Sequence, residues 1–260
     1  MPQAVVLDLV GPHPPLYLGK YAHGLFFSLV ARLDPDLAEI LHGARKKPFT
    51  LTPLQEGNNW VRLRFSSLDD KLFHTFLTSL LQIAPDGVPL GATPYRLVRV
   101  LANPQEHPLV GSATWETLRS APPLGELTLV FHSPTVFATS KPGGRNRYTP
   151  LPEPRLIARS LLEKWQAYSP YPYGAKEEAA LLNLFELDLE LASFHGLRFH
   201  RVQAAKGFLP GFTGEVRLRL HSESVLVREA LGRLASLAFY SGVGAKTPYG
   251  MGLVVAKLRS

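Results

Sequence analysis

Apolar residues run almost unbroken through Ala4–Val10 (AVVLDLV), a β-branched stretch of strand length that is too short for a helix. The spacing changes over Tyr21–Arg32 (YAHGLFFSLVAR), where apolar positions recur at intervals of three and four and predict a helix with one buried face. Asp34 followed by Pro35 marks the start of a second, short helix. An aspartate oxygen can accept the free amides of a first turn, and the fixed φ of proline suits the first helical position. His42-Gly43 closes that helix. Phe49–Leu54 and Trp60–Ser66 (WVRLRFS) read as strands, the second with period-two alternation. Leu68–Ile83 is helical and Arg96–Leu101 a strand. The order is β-α-β-β-α-β, that of a ferredoxin-like domain.

The second half repeats the order without repeating the residues. Glu126–Phe137 (ELTLVFHSPTVF) reads as one strand, and Glu153–Tyr168 and Lys176–Leu184 as helices. Ser193–Val202 and Gly214–His221 (GEVRLRLH) alternate as strands; Ser224–Phe239 is an amphipathic helix and Gly252–Leu258 a closing strand. The expectation is an α+β chain of two tandem ferredoxin-like (RRM-like) domains, 1–120 and 121–260. Asn103–His107 and Ser120–Gly125 are the candidate linkers.

The chain has 260 residues, enough for two compact domains, and 45% of them are hydrophobic. No apolar run approaches the roughly 18 residues of a membrane span. The opening MPQAVVLDLVG lacks a basic region before an apolar core, so no secretory signal is expected and a cytoplasmic address is. The absence of cysteine excludes disulfides, thiol nucleophiles and Cys-ligated zinc. The net charge of +7 is unevenly spread: residues 1–120 carry 11 Lys and Arg against 10 Asp and Glu, residues 121–260 carry 17 against 11. A basic second half suits a polyanionic partner, since cations facing phosphates release counterions on binding.

The most specific segment is Phe239–Gly252, FYSGVGAKTPYGMG, between the amphipathic helix and the last strand. Gly242, Gly244, Gly250 and Gly252 let the backbone bend and approach a ligand, and their amides could face phosphate oxygens; Lys246 adds a cation and Thr247 a donor. This is not an ATP or GTP loop. Ala245 precedes Lys246 where that motif requires glycine, and no helix follows to hold a phosphate at its N-terminus. Further cations suited to gripping a polyanion such as a nucleic acid are Lys141, Arg145 and Arg147 in SKPGGRNRY, and Arg198, Arg201 and Lys206 with His200 in the stretch His195–Lys206. Asp188 and Glu190, near Glu177, Glu178 and Glu186, read as a helix surface. Neither a metal site nor a cofactor is expected.

Three segments in order resemble the CRISPR-associated endoribonucleases of the RAMP superfamily that process repeat RNA. They are LHGARKKPFTLTPL (Leu41–Leu54), FHSPTVF (Phe131–Phe137) followed by LPEP (Leu151–Pro154), and GFTGEVRLRL (Gly211–Leu220) followed by SGVGAKTPYGMG (Ser241–Gly252). The Gly-x-Gly steps Gly242/Gly244 and Gly250/Gly252 match the glycine-rich signature of that family. The resemblance implies tandem ferredoxin-like domains, cleavage within CRISPR repeat RNA, and guide RNA handed to subunits of an interference complex. A non-catalytic guide-RNA-binding or structural subunit of such a complex is the alternative.

Metal-free RNA cleavage uses the substrate's own 2′-hydroxyl as nucleophile. It needs a base, an acid for the departing 5′-oxygen, and a cation for the phosphate. The family places a histidine near the end of the short second helix, a lysine a few residues later and often a tyrosine on the first helix. His42 and Lys47 match the first two; the position matched to the tyrosine is Phe27, which transfers no proton. His23, one helical turn before Phe27, is the candidate third group; Ser28, Arg45 and Lys46 lie in the same segments.

Overall fold

The structure, a computed structural model, describes residues 1–14, 18–140, 146–204 and 207–257. The chain divides into two compact units, Met1–Ala113 with Pro248–Gly250, and Thr114–Thr247 with Met251–Ser260. Lys141, Arg145 and Lys206 lie outside the described residues. Among the described residues no helix is long and apolar enough to cross a membrane.

The first unit runs β1 (Gln3–Val10), α1 (Leu18–Leu33), α2 (Pro35–Gly43), β2 (Phe49–Glu56), β3 (Trp60–Ser67), α3 (Asp70–Ile83), β4 (Val88–Leu90), β5 (Thr93–Leu101) and β6 (Gly111–Ser112). Its sheet has the order β2-β3-β1-β5-β4, with β6 also on β1. The unbroken apolar run of β1 follows from its place between β3 and β5 with both faces covered. Val5, Leu7 and Leu9 face the core beneath the helices, while Val6 packs with Leu101 and Val110 in a second cluster. Asp8 lies opposite both Arg62 and Arg99 and accepts from both, at 2.6 and 3.0 Å and at 2.7 and 3.1 Å. The hydrogen bond from Arg62 is the largest cause holding the Asp8 carboxyl below the usual carboxylate range; that from Arg99 acts the same way.

Rings tie α1 to the sheet. Phe26 stacks on Phe49 at 3.8 Å between centroids, and Phe65 meets Phe76 of α3 at 4.1 Å. Burying each such ring is worth about 1.5–3 kcal/mol, so the rotation of α1 about its axis is set by Phe26.

The second unit runs α4 (Trp115–Arg119), β7 (Glu126–Thr135), β8 (Phe137–Ser140), β9 (Asn146–Thr149), α5 (Pro154–Tyr168), α6 (Ala175–Asp188), β10 (Leu189–Gln203), β11 (Phe208–Leu220), α7 (Val225–Ser241) and β12 (Val254–Lys257). Its four-stranded sheet is ordered β10-β11-β7-β12. In both units the first strand of the βαββαβ order lies between the third and the last, all antiparallel. The tandem ferredoxin-like architecture is thus two copies of one topology.

Three local readings change. The strand expected over Glu126–Phe137 breaks at Val136, whose carbonyl accepts the amide of Ala245; β8 then pairs with β9 as a separate hairpin. The helix expected over Lys176–Leu184 continues to Asp188 and passes into β10 without a loop. The helix α4 sits between the two candidate linkers, and its side chain at Thr114 caps it by accepting the amide of Thr117 at 3.1 Å.

Candidate active site

Asp34 caps α2 as its sequence suggests, accepting the Leu37 amide at 2.9 Å and meeting Lys71 at 2.7 Å. At the other end of α2 the chain leaves the helix at Ala44 in an extended conformation. That turn brings Lys47 back onto the helix terminus. Its ammonium donates to the carbonyls of Leu41, of Ala44 at 2.9 Å and of His42 at 3.2 Å. A cation there satisfies carbonyls that lack helical partners and opposes the negative end of the helix dipole. Burial pushes the Lys47 amine below the ordinary lysine value. Lys47 therefore grips the backbone that carries His42, whose own side chain is exposed.

His23 and Phe27, four residues apart on α1, share a face. The Phe27 ring is the common neighbour of both histidines, 4.8 Å from His23 and 5.5 Å from His42 between centroids, with the Lys47 ammonium 6.0 Å from its centroid. His23 is buried. Its ring is met edge-on, at 3.9 Å, by Tyr249. The backbone explains this approach: a Cβ on Gly19 would lie 2.2 Å from the Tyr249 carbonyl, so only glycine on α1 admits that turn. Burial raises the Tyr249 phenol above its ordinary value, keeping it protonated near neutral pH. Tyr249 lies within FYSGVGAKTPYGMG but is not distinguished there by its local pattern. Nothing local marks a residue whose partner is more than two hundred positions away.

Several amides of the glycine-rich loop are held within the protein. The Gly242 amide donates to Ala238, that of Val243 to Gly252 (2.8 Å), that of Gly244 to the Ser160 hydroxyl (2.8 Å) and that of Gly252 to Pro134 (3.0 Å). Gly244 has φ +82°, and a Cβ there would come within 2.5 Å of the Val136 carbonyl. Thr247 is buried, its methyl under Gly242 and Gly252. Lys246 is exposed, in the left-handed region at φ 63° that non-glycine residues seldom adopt. The buried ammonium of Lys164 on α5 fastens the loop's entry, donating to Ser241 and Gly242 at 2.5 and 2.9 Å. Gly250 counts with the first unit.

The other expected RNA grips lie on strands of the second unit, Arg147 on β9 and Arg198 and Arg201 on β10, all exposed. Asp188 ends α6 and Glu190 pairs with His221 at 3.0 Å. Among the described residues no group of three or more His, Asp or Glu could hold a metal ion.

Over residues 129–254 the chain matches the family described as CRISPR-associated endoribonuclease Cas6, and over residues 1–119 the CRISPR Cas6 N-terminal domain. A Streptococcus thermophilus protein named CRISPR-associated endoribonuclease Cas6 is 27% identical over 248 residues, covering 92% of this chain and 91% of that one. Among solved structures, a Cas6 product complex is 64% identical with a TM-score of 0.96, covering 99% of this chain and 100% of its counterpart. A Thermus thermophilus Cas6 is 60% identical with a TM-score of 0.80, covering 99% and 98%.

Proposed function

The chain belongs to the CRISPR-associated endoribonuclease Cas6 family, and from that premise we propose that it binds CRISPR repeat RNA and cuts the precursor transcript into guide RNAs without a metal ion. The observation that carries the reading is the pair of imidazoles, His23 and His42, in contact with the one Phe27 ring. Histidine titrates near neutrality and can both take and give a proton. The similar Cas6 of 64% identity was solved as a product complex, and the product of an endoribonuclease is RNA.

In the proposed reaction the substrate's 2′-oxygen attacks the adjacent phosphorus and the P–O5′ bond breaks, leaving a 2′,3′-cyclic phosphate and a 5′-hydroxyl. One imidazole accepts the 2′-hydroxyl proton and the other supplies a proton to the departing oxygen. Tyr249, edge-on to His23, fixes that ring. Lys47 holds the backbone under His42, and the exposed Arg45 and Lys46 in the same turn meet the phosphate charge. Arg147, Arg198 and Arg201 grip RNA. Guide RNA then passes, in the cytoplasm, to subunits of an interference complex.

One observation favours a second reading. Phe27 stands where the family often has a proton-transferring tyrosine, which suits a chain that holds guide RNA without cutting it. Incubating the protein with its repeat RNA in excess chelator separates the two. Cleavage in chelator, abolished by a single 2′-deoxy nucleotide 5′ of the cut, is the expected result. Cutting of the deoxy substrate at the normal rate sinks the mechanism; binding without cutting selects the second reading.

A further inference from the structure

Three phenylalanines of the second unit are left largely in water: Phe194 at 62%, Phe199 at 63% and Phe208 at 53% exposure. They lie on β10 and β11, and β10 is the outer strand of its sheet. Strand pairing places Phe194 opposite the buried Val216 and Phe199 opposite the buried Phe212. Phe208 is four residues from Phe212 on β11, so period-two alternation gives it the same face. All three rings therefore share the side of the sheet that carries the core, at a part of the hairpin where each stays more than half exposed. An uncovered aromatic face on an edge strand forfeits burial and invites association, and it marks an interaction surface.

The charge around these rings identifies the partner. Residues 191–214 contain Arg198, Arg201 and Lys206 and no Asp or Glu. The Arg201 guanidinium lies 4.5 Å from the centroid of Phe208. Arg217 and Arg219, farther down β11, are paired with Glu126, and Arg219 also with Glu190, whereas among the described residues Arg198 and Arg201 meet no carboxylate. Aromatic faces interleaved with uncompensated arginines are the chemistry that takes unpaired nucleotides, bases stacking on rings and cations following the phosphates.

Building on the RNA-processing function proposed above, we propose that the β10–β11 hairpin is a stacking platform for an unpaired segment of the bound RNA, with Phe194, Phe199 and Phe208 receiving base faces. Phe199 and Phe208 are separated along the strands by roughly 13 Å, so the platform takes several nucleotides in an extended strand rather than one base in a pocket. A duplex, whose bases are stacked on one another, has no free faces to offer.

The test uses the full chain and a single-stranded repeat RNA carrying 2-aminopurine, with a fully paired RNA of equal length as control. Each single change, Phe194→Ala, Phe199→Ala or Phe208→Ala, is expected to weaken single-strand binding by about 5- to 150-fold. That range corresponds to about 1–3 kcal/mol of base stacking at about 1.36 kcal/mol per tenfold. Duplex binding should change less than about twofold, and the quenching of 2-aminopurine seen with wild type should disappear. Phe199→Leu, which keeps an apolar side chain and loses the ring face, should behave like Phe199→Ala; full affinity in the leucine variant overturns stacking. Unchanged single-strand affinity in the alanine variants overturns the platform. So does a drop in particle mass on substitution at constant affinity, which assigns the face to a second copy of the chain. Wild-type cleavage of the repeat is scored in the same preparations. A chain that cuts and binds normally with and without the rings loses only the platform, whereas a wild type that binds no RNA loses the processing reading and the platform with it.

Discussion

Replacing Lys47 by methionine separates a lysine that holds a helix end from one that faces phosphate. The stem is kept and only the ammonium is lost. In the structure that ammonium serves three carbonyls at the terminus of α2, those of Leu41, His42 and Ala44. Hydrogen bonds to a charged donor contribute about 1.5–3 kcal/mol where buried, and a cation at a helix C-terminus about 0.3–1 kcal/mol at the surface. Lys47 is half-buried, so a loss of about 1–3 kcal/mol follows, or a fall in thermal midpoint of roughly 2–10 °C for a chain of this size. Calorimetry reads that number. The kinetic consequence depends on what Lys47 does next. If it acts by holding His42, single-turnover cleavage slows in Lys47→Met, but Lys47→Met/His42→Ala is no slower than His42→Ala alone. If it contacts the phosphate independently, the two losses multiply. A Lys47→Met protein with an unchanged midpoint and a multiplicative rate loss would refute the helix-end argument.

His42→Ala should leave RNA affinity nearly intact and slow single-turnover cleavage by roughly 10²–10⁴-fold, the usual contribution of one general acid or base. His23→Ala should slow it comparably, and Tyr249→Phe should be milder; a wild-type rate in His42→Ala, measured at saturating enzyme, removes it from the chemistry. Gly244→Asp should unsettle the loop before it affects RNA, because the new Cβ meets the Val136 carbonyl and φ +82° strains any L side chain by about 1–2 kcal/mol. A variant with unchanged thermal midpoint and weakened RNA binding would instead return the loop to direct phosphate contact.

The elements legible in the sequence are those whose cause is local. Tyr21–Arg32 shows its helical period, and Asp34-Pro35 and His42-Gly43 bracket α2 within one residue of its observed ends. The pairing order of both sheets follows from the element order. What escaped is short or long-range. Trp115–Arg119 has too few residues to show a period, and the break at Val136 depends on an amide more than a hundred residues away. The place of His42 at a helix end was legible locally, but its candidacy for catalysis came from the family resemblance alone. The helix-end role of Lys47 was not legible, since it needs the chain to reverse after Ala44.

The glycine-rich loop shows why residue type alone does not assign chemistry. Four glycines, a lysine and a threonine read equally well as a cradle for phosphate or as a turn under compression, because both need backbone without Cβ. The distinction lies in where the amides point, and that is set by Ser160, Pro134, Gly252 and Ala238, none of which the loop's local pattern specifies. The stretch SFHGLRFH fails in the opposite direction. It reads as an ordinary strand, and only the structure shows that Phe194 and Phe199 are left mostly exposed on the outer strand of the sheet. In both segments the sequence specifies the backbone while the neighbours decide which groups remain available for RNA. The amides of Gly242, Val243, Gly244, Ala245 and Gly252 are held within the protein, whereas the rings of Phe194 and Phe199 stay mostly exposed, so those five amides are less available to RNA than the rings of the hairpin.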